Sequence, residues 1–83
     1  MTTVTRFVVY PDGDEQEIEQ DLRVNQIVDL NGAPLPLPLR TYRVIAYRVT
    51  GKRTAVGRGT EDVYFALSLL TRPELESLMR QGG

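Results

Sequence analysis

Cysteine, histidine and tryptophan are all missing from this sequence of 83 residues, and lysine occurs once, as Lys52. Without cysteine, neither disulfides nor thiolate metal sites can form. Without histidine, the commonest general base and the imidazole metal ligand are also missing, and serine–histidine or cysteine–histidine nucleophile pairs cannot exist. We therefore expect no catalytic residues, no metal site and no cofactor, which means that the protein is not an enzyme.

Long apolar runs are also lacking, since no stretch approaches the roughly 18–20 residues of a membrane span. The apolar cluster at residues 7–10 is too short for a secretory signal, which needs roughly 7–15 apolar residues after a basic start. Together with the lack of cysteine, this predicts a cytoplasmic protein that makes no contact with membranes. Hydrophobic residues at 41% and charged residues at 25% are ordinary for a globular chain. Residues 1–83 are expected to form one small domain, with Gly82-Gly83 as a frayed tail.

The chain lacks residues that known ligand-binding motifs require. A phosphate-binding loop would need a glycine in place of Ala46. It would also need Ser or Thr after Gly51-Lys52, where Arg53 stands. A dinucleotide fingerprint starting at Gly57 would need a glycine in place of Asp62. A calcium loop starting at Asp12 would need a glycine in place of Glu17.

The net charge of −1 conceals a strong separation of charge along the chain. Residues 11–30 contain seven acidic residues and one arginine, whereas residues 40–59 contain six basic residues and no acidic one. The simpler interpretation is that the two segments lie side by side and neutralise each other across strands. The alternative is two exposed surfaces of opposite sign, which favour docking to a complementary partner.

Strand-like patterns dominate the first half of the chain. Residues 3–10 are rich in β-branched and aromatic residues, the "PDGD" that follows is a turn, and residues 15–22 alternate as in a strand. These features predict a β-hairpin. Apolar residues at 27, 28 and 30 then lead to Asn31-Gly32, a strong turn signal.

A second hairpin and a helix are expected in the second half. Residues 40–49 form the clearest strand pattern, "TGKR" at 50–53 indicates a turn, and residues 54–57 a returning strand. Residues 61–70 fit a strand or a helix, and their Val, Tyr and Phe favour a strand. The pattern of residues 71–80 predicts a helix that is capped by Thr71 or Arg72 and has Pro73 at its first position. The apolar residues Leu75, Leu78 and Met79 are expected on one face of this helix.

The proline-rich segment "PLPLPL" at residues 34–39 admits three interpretations: a ligand for an outside partner, an extended structural segment, or a mobile loop whose leucines close over something. Proline ligands that dock in aromatic grooves follow a period of three, but here Pro34, Pro36 and Pro38 are two apart. A period of two predicts an extended segment with prolines on one side and leucines on the other. We expect this segment to cover a sheet edge or the mouth of a barrel.

These patterns predict a mainly β fold: a small antiparallel sheet or SH3-like barrel of about five strands, with a short C-terminal helix. The expected core comprises Phe7, Val9, Ile18, Ile27, Val44, Ile45, Val56, Phe65, Leu67, Leu75 and Leu78.

The predicted function is a small non-catalytic interaction module or accessory protein, which binds an unknown protein partner or forms a homodimer. A thin core of this kind gains stability from association. The alternative is a nucleic-acid-binding module that uses the basic residues 40–58. The candidate interaction surface consists of Arg40, Tyr42, Arg48, Lys52, Arg53 and Arg58. Binding to nucleic acid would require these cations to converge on one solvent-facing surface that is free of carboxylates.

Overall fold

One five-stranded sheet and one short helix form the protein in a computed structural model, and the structure describes residues 3–80. In chain order the elements are β1 (Thr3–Val9), β2 (Glu15–Ile18), β3 (Ile27–Val28), β4 (Tyr47–Gly57), β5 (Thr60–Leu69) and α1 (Arg72–Arg80). The sheet has the order β2-β1-β5-β4-β3 and curves into a half-barrel. This confirms the predicted mainly β fold of about five strands with a C-terminal helix. The expected frayed tail at Gly82-Gly83 lies outside the described residues.

The sheet is mixed, because two neighbouring interior strands, β1 and β5, run in the same direction. The pairs β1–β2, β3–β4 and β4–β5 are antiparallel, as expected, but β1 pairs with β5 in parallel, which corrects the prediction of a wholly antiparallel sheet. β5 begins beside the start of β1, where the backbone amide of Thr3 donates to the carbonyl of Gly59 at 2.9 Å. The sheet therefore joins two antiparallel hairpins through one parallel contact.

The first hairpin forms at the predicted position, but its second strand ends at Ile18 and does not continue to residue 22. After β1 the chain turns through Pro11 and Asp12, and the amide of Tyr10 donates to the carbonyl of Asp14 at 2.8 Å. Gly13 has a φ of 95°, a conformation that glycine adopts without steric cost. The turn thus aligns β2 with β1, with Glu15 opposite Val9 and Ile18 opposite Arg6.

The second hairpin differs from the prediction in position. Residues 40–46 are not a strand, and residues 50–53 are not a turn, because β4 begins at Tyr47 and continues to Gly57. The reversal occurs at Arg58-Gly59, where Gly59 has a φ of 70° and Gly57 pairs with Thr60. Two-residue hairpin loops favour residues that tolerate positive φ, which explains why the chain turns here. β5 confirms the strand expected at residues 61–70.

A β-bulge in β4 lets the strand pass through the expected turn. Val49 pairs with Leu67 and Gly51 with Ala66, so that Thr50 is an extra residue without an opposite partner on β5. A bulge of this kind changes which residues of a strand share a face. Beyond it, Lys52 lies opposite Phe65 on the inner face, which we define as the side that carries the buried core of the half-barrel. The other side of the sheet is the outer face.

Two hydrophobic clusters form the core. The larger one fills the inner face and consists of Val8, Ile18, Leu22, Val28, Val49, Val63, Phe65 and Leu67. The smaller one lies against α1 and consists of Ile27, Leu39, Ala46, Leu70, Leu75 and Leu78. The burial expected for Ile18, Ile27, Phe65, Leu67, Leu75 and Leu78 is thereby confirmed.

The predicted burial of the other expected core residues is wrong, and the structure shows the reason for each. In β1 it is Val8 that is fully buried, so Phe7 and Val9 point to the outer face and stay partly exposed. Val44 and Ile45 lie in the irregular segment that precedes β4 and are 37% and 54% exposed. Val56 lies near the end of the β4–β5 hairpin and is 78% exposed.

Helix α1 begins with a reciprocal cap. The backbone amide of Glu74 donates to Thr71 Oγ1 at 3.5 Å, while the amide of Thr71 donates to Glu74 Oε1 at 3.0 Å. This capping box satisfies amide groups that the first helical turn leaves unpaired. Thr71 is therefore the capping residue, and Pro73 occupies the second helical position, after Arg72. Leu75 and Leu78 are buried as expected, with Met79 partly buried beside them.

The proline-rich segment starts along the open edge of β3. Pro34 forms an isolated bridge with Val28, and the amide of Leu35 donates to the carbonyl of Ile27 at 3.0 Å. The expected covering of a sheet edge is therefore confirmed. The leucines do not share one buried face, however, because the chain bends at residues 37–38, leaving Leu37 48% exposed while Leu39 is buried.

Candidate interaction surfaces

The six residues of the predicted interaction surface do not lie together. Arg40 is exposed in the segment before β4, and Arg58 is exposed in the turn between β4 and β5. Tyr42 is partly buried against the cluster at α1, where the guanidinium carbon of Arg72 lies 4.4 Å from the centroid of its ring. Arg58 is thus separated in sequence from Arg40 and Tyr42, which share the segment before β4 but differ in exposure.

Arg48 is engaged within the fold rather than free for a partner. Its Nη2 lies 3.9 Å from Oε2 of Glu74 at the start of α1, and its Nε is buried without a hydrogen-bond partner. The side chain therefore connects β4 to the helix.

Lys52 and Arg53 follow each other in β4 and lie on opposite faces of the sheet. Nζ of Lys52 is 6.0 Å from the centroid of the Phe65 ring, whereas the guanidinium carbon of Arg53 is 5.0 Å from the centroid of the Tyr64 ring. Both residues are exposed. They carry positive charge on both sides of the same short stretch of β4.

The acidic and basic segments do not neutralise each other within the described chain. The ion pairs among residues 3–80 are Arg6–Asp21 at 3.6 Å, Arg48–Glu74 at 3.9 Å and Arg72–Glu76 at 3.1 Å. None of them joins residues 11–30 to residues 40–59. The expectation of pairing across adjacent strands is therefore wrong, because β1 and β5 separate acidic β2 from basic β4. At about 4.8 Å per strand, this separation is roughly 14 Å.

A long stretch of β4 has a partner strand on one side only. β3 pairs with Tyr47 and Arg48, and backbone bonds of Val49 to Asn25 and Gln26 extend this contact by one residue. From residue 50 to residue 57, the described chain offers β4 no partner other than β5. Alternate N–H and C=O groups of an edge strand point away from the sheet. We call residues 50–57 the β4 edge.

Aromatic and charged side chains form a row across the outer face next to this edge. The rings of Phe7 and Tyr64 are stacked, with centroids 5.2 Å apart and an angle of 15° between their planes. The register places Glu17 opposite Phe7, Phe7 opposite Tyr64 and Tyr64 opposite Arg53. These four residues, one from each of four neighbouring strands, constitute the cross-sheet row. A shallow depression of about 360 Å³ between Val9, Tyr64 and Arg53 adjoins it.

A second depression, of about 460 Å³, lies where Tyr10 and Tyr47 meet edge to face, with ring centroids 5.3 Å apart. The hydroxyl of Tyr10 donates to the carbonyl of Leu30 at 2.6 Å. Burial is the main effect that raises the pKa of Tyr10, and the nearby Tyr47 and Asp29 raise it further. This hydroxyl is therefore a neutral structural donor at physiological pH.

Neither a metal centre nor a membrane span is visible in the part of the chain that the structure describes. No three carboxylates among these residues come close enough to hold an ion together. The same residues include no helix with the length and apolar character needed to cross a bilayer.

Comparison with known proteins gives a family but no activity. A family profile described as "Uncharacterised Treponema protein" matches residues 2–78. Neither the curated proteins nor the solved structures gave a match.

Proposed function

The chain belongs to this uncharacterised Treponema protein family, and we propose that it is a non-catalytic interaction module that binds an extended segment of a partner along the β4 edge. The observation that carries the proposal is the stretch 50–57, whose outer side has no partner strand among the described residues. A peptide that adds to such an edge gains main-chain hydrogen bonds, while its alternate side chains contact the two faces of the sheet. The candidate site is thus a backbone edge flanked by two basic side chains.

The charges at this edge favour an acidic partner. Lys52 projects on the inner face and Arg53 on the outer face, so carboxylates at neighbouring positions of an added strand would each meet a cation. Opposite charges across strands contribute roughly 0.2–1 kcal/mol per pair. They also accelerate association and make it sensitive to salt.

The described carboxylates support the non-catalytic assignment. Hydrogen bonds from the amide and hydroxyl of Thr71, and more weakly the charge of Arg48, lower the pKa of Glu74. The helix cap explains the lowered pKa of Glu74, and no substrate cleft is needed to account for it. A location in the cytoplasm fits the lack of cysteine.

Binding to nucleic acid is the second candidate, and the geometry favours it less. Phosphate contacts need several cations that converge on one surface. Here Arg48 lies beside Glu74, and Lys52 and Arg53 lie on opposite faces. The two remaining arginines, Arg40 and Arg58, are in separate loops.

An amide NMR titration tests the proposal and its alternative. The ligands are a capped peptide of about eight alternating Glu and Val residues, a length matched to the β4 edge, and a short DNA duplex. We expect the peptide to shift the amides of residues 50–57, with weaker binding at higher salt, and the duplex to leave them unchanged.

A pair of matched variants separates the edge from general charge effects. Lys52→Glu with Arg53→Glu reverses the charge of the edge, while Arg40→Glu with Arg43→Glu makes the same change of net charge at exposed loop positions. Peptide binding should be lost in the first variant and retained in the second. Equal binding by both variants, or shifts that lie outside the β4 edge, would refute the proposed site.

A further inference from the structure

We infer that the strand added to the β4 edge is β2 of a second copy, so that copies of this chain associate head to tail. The inference rests on the proposed function, because it requires the β4 edge to accept a strand. It adds the identity of the partner and predicts an assembly that can extend beyond two copies.

β2 offers the complementary edge at the other end of the sheet. It is the outermost strand at this end of the sheet, and among residues 3–80 its one partner strand is β1. Glu15, Glu17 and Glu19 are exposed, and none of them forms an ion pair with any residue from 3 to 80. The molecule therefore has one acidic and one basic open edge.

Charge disfavours pairing between like edges. Two β4 edges in contact would bring Lys52 and Arg53 of both copies together, and two β2 edges would bring their glutamates together. Like charges opposite each other destabilise a pair of strands, and charged residues commonly protect sheet edges from each other. The contact of β2 with β4 is the one combination of these edges in which the charges attract.

The strand directions and the register suit this contact. β2 is antiparallel to β1, β1 is parallel to β5, and β5 is antiparallel to β4, so β2 and β4 point the same way. A copy displaced sideways by the width of the sheet places its β2 parallel to β4. The cross-sheet row then continues from Arg53 to the Glu17 of the next copy.

The β4 edge is also long enough to accept the four residues of β2. When the register is followed across the sheet from β2 to β4, Glu15 is aligned with Gly51. Ile18 is aligned in the same way with Thr54. A second β2 in this register therefore spans residues 51–54 of the β4 edge. It does not overlap the part of β4 that β3 covers, which extends from Tyr47 to Val49.

This contact is heterologous, because it uses two different surfaces of the same chain. A heterologous contact leaves one free edge at each end, so that it either closes into a ring or continues as a filament. We therefore expect species larger than dimers as the protein concentration rises. Attraction between the edges should weaken as salt screens it.

Sedimentation velocity of the full chain at low and high salt tests the inference. The expected result is association that depends on concentration and weakens with salt. Glu15→Lys with Glu17→Lys, or Lys52→Glu with Arg53→Glu, leaves a chain with two edges of the same sign. Each variant should associate about tenfold more weakly, since attractive cross-strand pairs become repulsive.

Mixing the two variants gives the decisive measurement. Each carries the edges that complement those of the other, so an equimolar mixture should associate as the unaltered chain does, whereas Arg40→Glu with Arg43→Glu should not change association. Because Arg53 also contacts Tyr64, Glu15→Lys with Glu17→Lys tests the contact without changing Arg53, and the amide spectrum of each variant verifies its fold. No recovery in the mixture would overturn the inference.

A monomer at every concentration and salt level would also overturn self-association. If the alternating peptide still bound to residues 50–57, the proposed function would stand and the partner would be a different acidic segment. If neither self-association nor peptide binding occurred, both proposals would fail.

Discussion

The guanidinium carbon of Arg53 lies 5.0 Å from the centroid of the Tyr64 ring, and this ring is stacked on Phe7 from the neighbouring strand. A cation over an aromatic face at an exposed site contributes roughly 0.5–1 kcal/mol. We expect this coupling energy from a double-mutant cycle of Arg53→Ala and Tyr64→Leu, measured by urea unfolding. A cycle of Arg58→Ala with Tyr64→Leu is the control and should be additive. Equal coupling in the two cycles would show that Arg53 does not stabilise the ring.

Gly32 and Gly13 form a second matched comparison. Both have positive φ, 79° and 95°, but a Cβ at Gly32 would lie 3.2 Å from side-chain carbons of Ile18 and Val8, whereas one at Gly13 would meet no atom within 4 Å. Gly13→Ala should cost about 1 kcal/mol of unfolding free energy from backbone strain. Gly32→Ala should cost about 2–4 kcal/mol, because strain and overpacking add. Equal losses in urea unfolding would contradict the close packing of this turn against the core.

The cap of α1 should make a measurable contribution to stability. Thr71→Ala removes the hydroxyl that accepts the amide of Glu74 and should lower the free energy of unfolding by about 1 kcal/mol. Thr71→Ser keeps a hydroxyl at the same position and should retain most of the stability. Chemical unfolding of both variants checks this, and similar losses would indicate that the threonine methyl group, and not the hydroxyl, is responsible.

The same cap predicts a dependence on acid. Because the pKa of Glu74 is lower in the folded state, its ionised form stabilises the fold. This contribution is complete above the ordinary pKa of a glutamate and is lost as the pH falls through the lowered folded-state value. An NMR titration of the carboxyl should give a higher pKa for Glu74 in Thr71→Ala than in Thr71→Ser. An unchanged pKa would mean that the Thr71 hydroxyl does not contribute and that the backbone amide of residue 71 is the main cause of the lowered pKa.

Tyr10 should have the opposite dependence, at alkaline pH. Its raised pKa means that its neutral form stabilises the fold below the ordinary tyrosine pKa and that this contribution is lost as the pH rises through the folded-state value. Tyr10→Phe removes the hydrogen bond to Leu30 and should cost about 1 kcal/mol at neutral pH. Tyr47→Phe is the control, since the Tyr47 hydroxyl forms no hydrogen bond with the described residues. Equal stability of the two variants would argue against the hydrogen bond.

Local patterns in the sequence were sufficient for the elements that depend on neighbouring residues. The first hairpin follows from a β-branched run and a turn with glycine, and α1 follows from its cap and its buried leucines. The composition of residues 40–46 predicts a strand that begins too early in the sequence. A bulge at Thr50 allows the observed strand to continue through Gly51. A bulge leaves no clear local signal, and so the sequence predicts the hairpin turn at residues 50–53, seven residues before the observed turn at residues 57–60.

The candidate site depends on strand order, which the sequence does not encode locally. The sequence predicts Lys52 and Arg53 as interaction residues. The prediction that they form one surface with Arg40, Tyr42, Arg48 and Arg58 requires all six residues to share one pair of strands. The position of β5 between β1 and β4 determines that the acidic and basic segments stay apart. It also brings Tyr64 beside Arg53, and no pattern along the chain indicates this contact.

The parallel contact between β1 and β5 also sets the order in which the protein can fold. Each hairpin closes between strands that are near in sequence, but the sheet becomes continuous only when the first strand meets the last. Contacts between distant parts of a chain slow folding, because the intervening segment must first be brought together. During synthesis, the side of β1 that will hold β5 therefore stays open until residues 60–69 have left the ribosome.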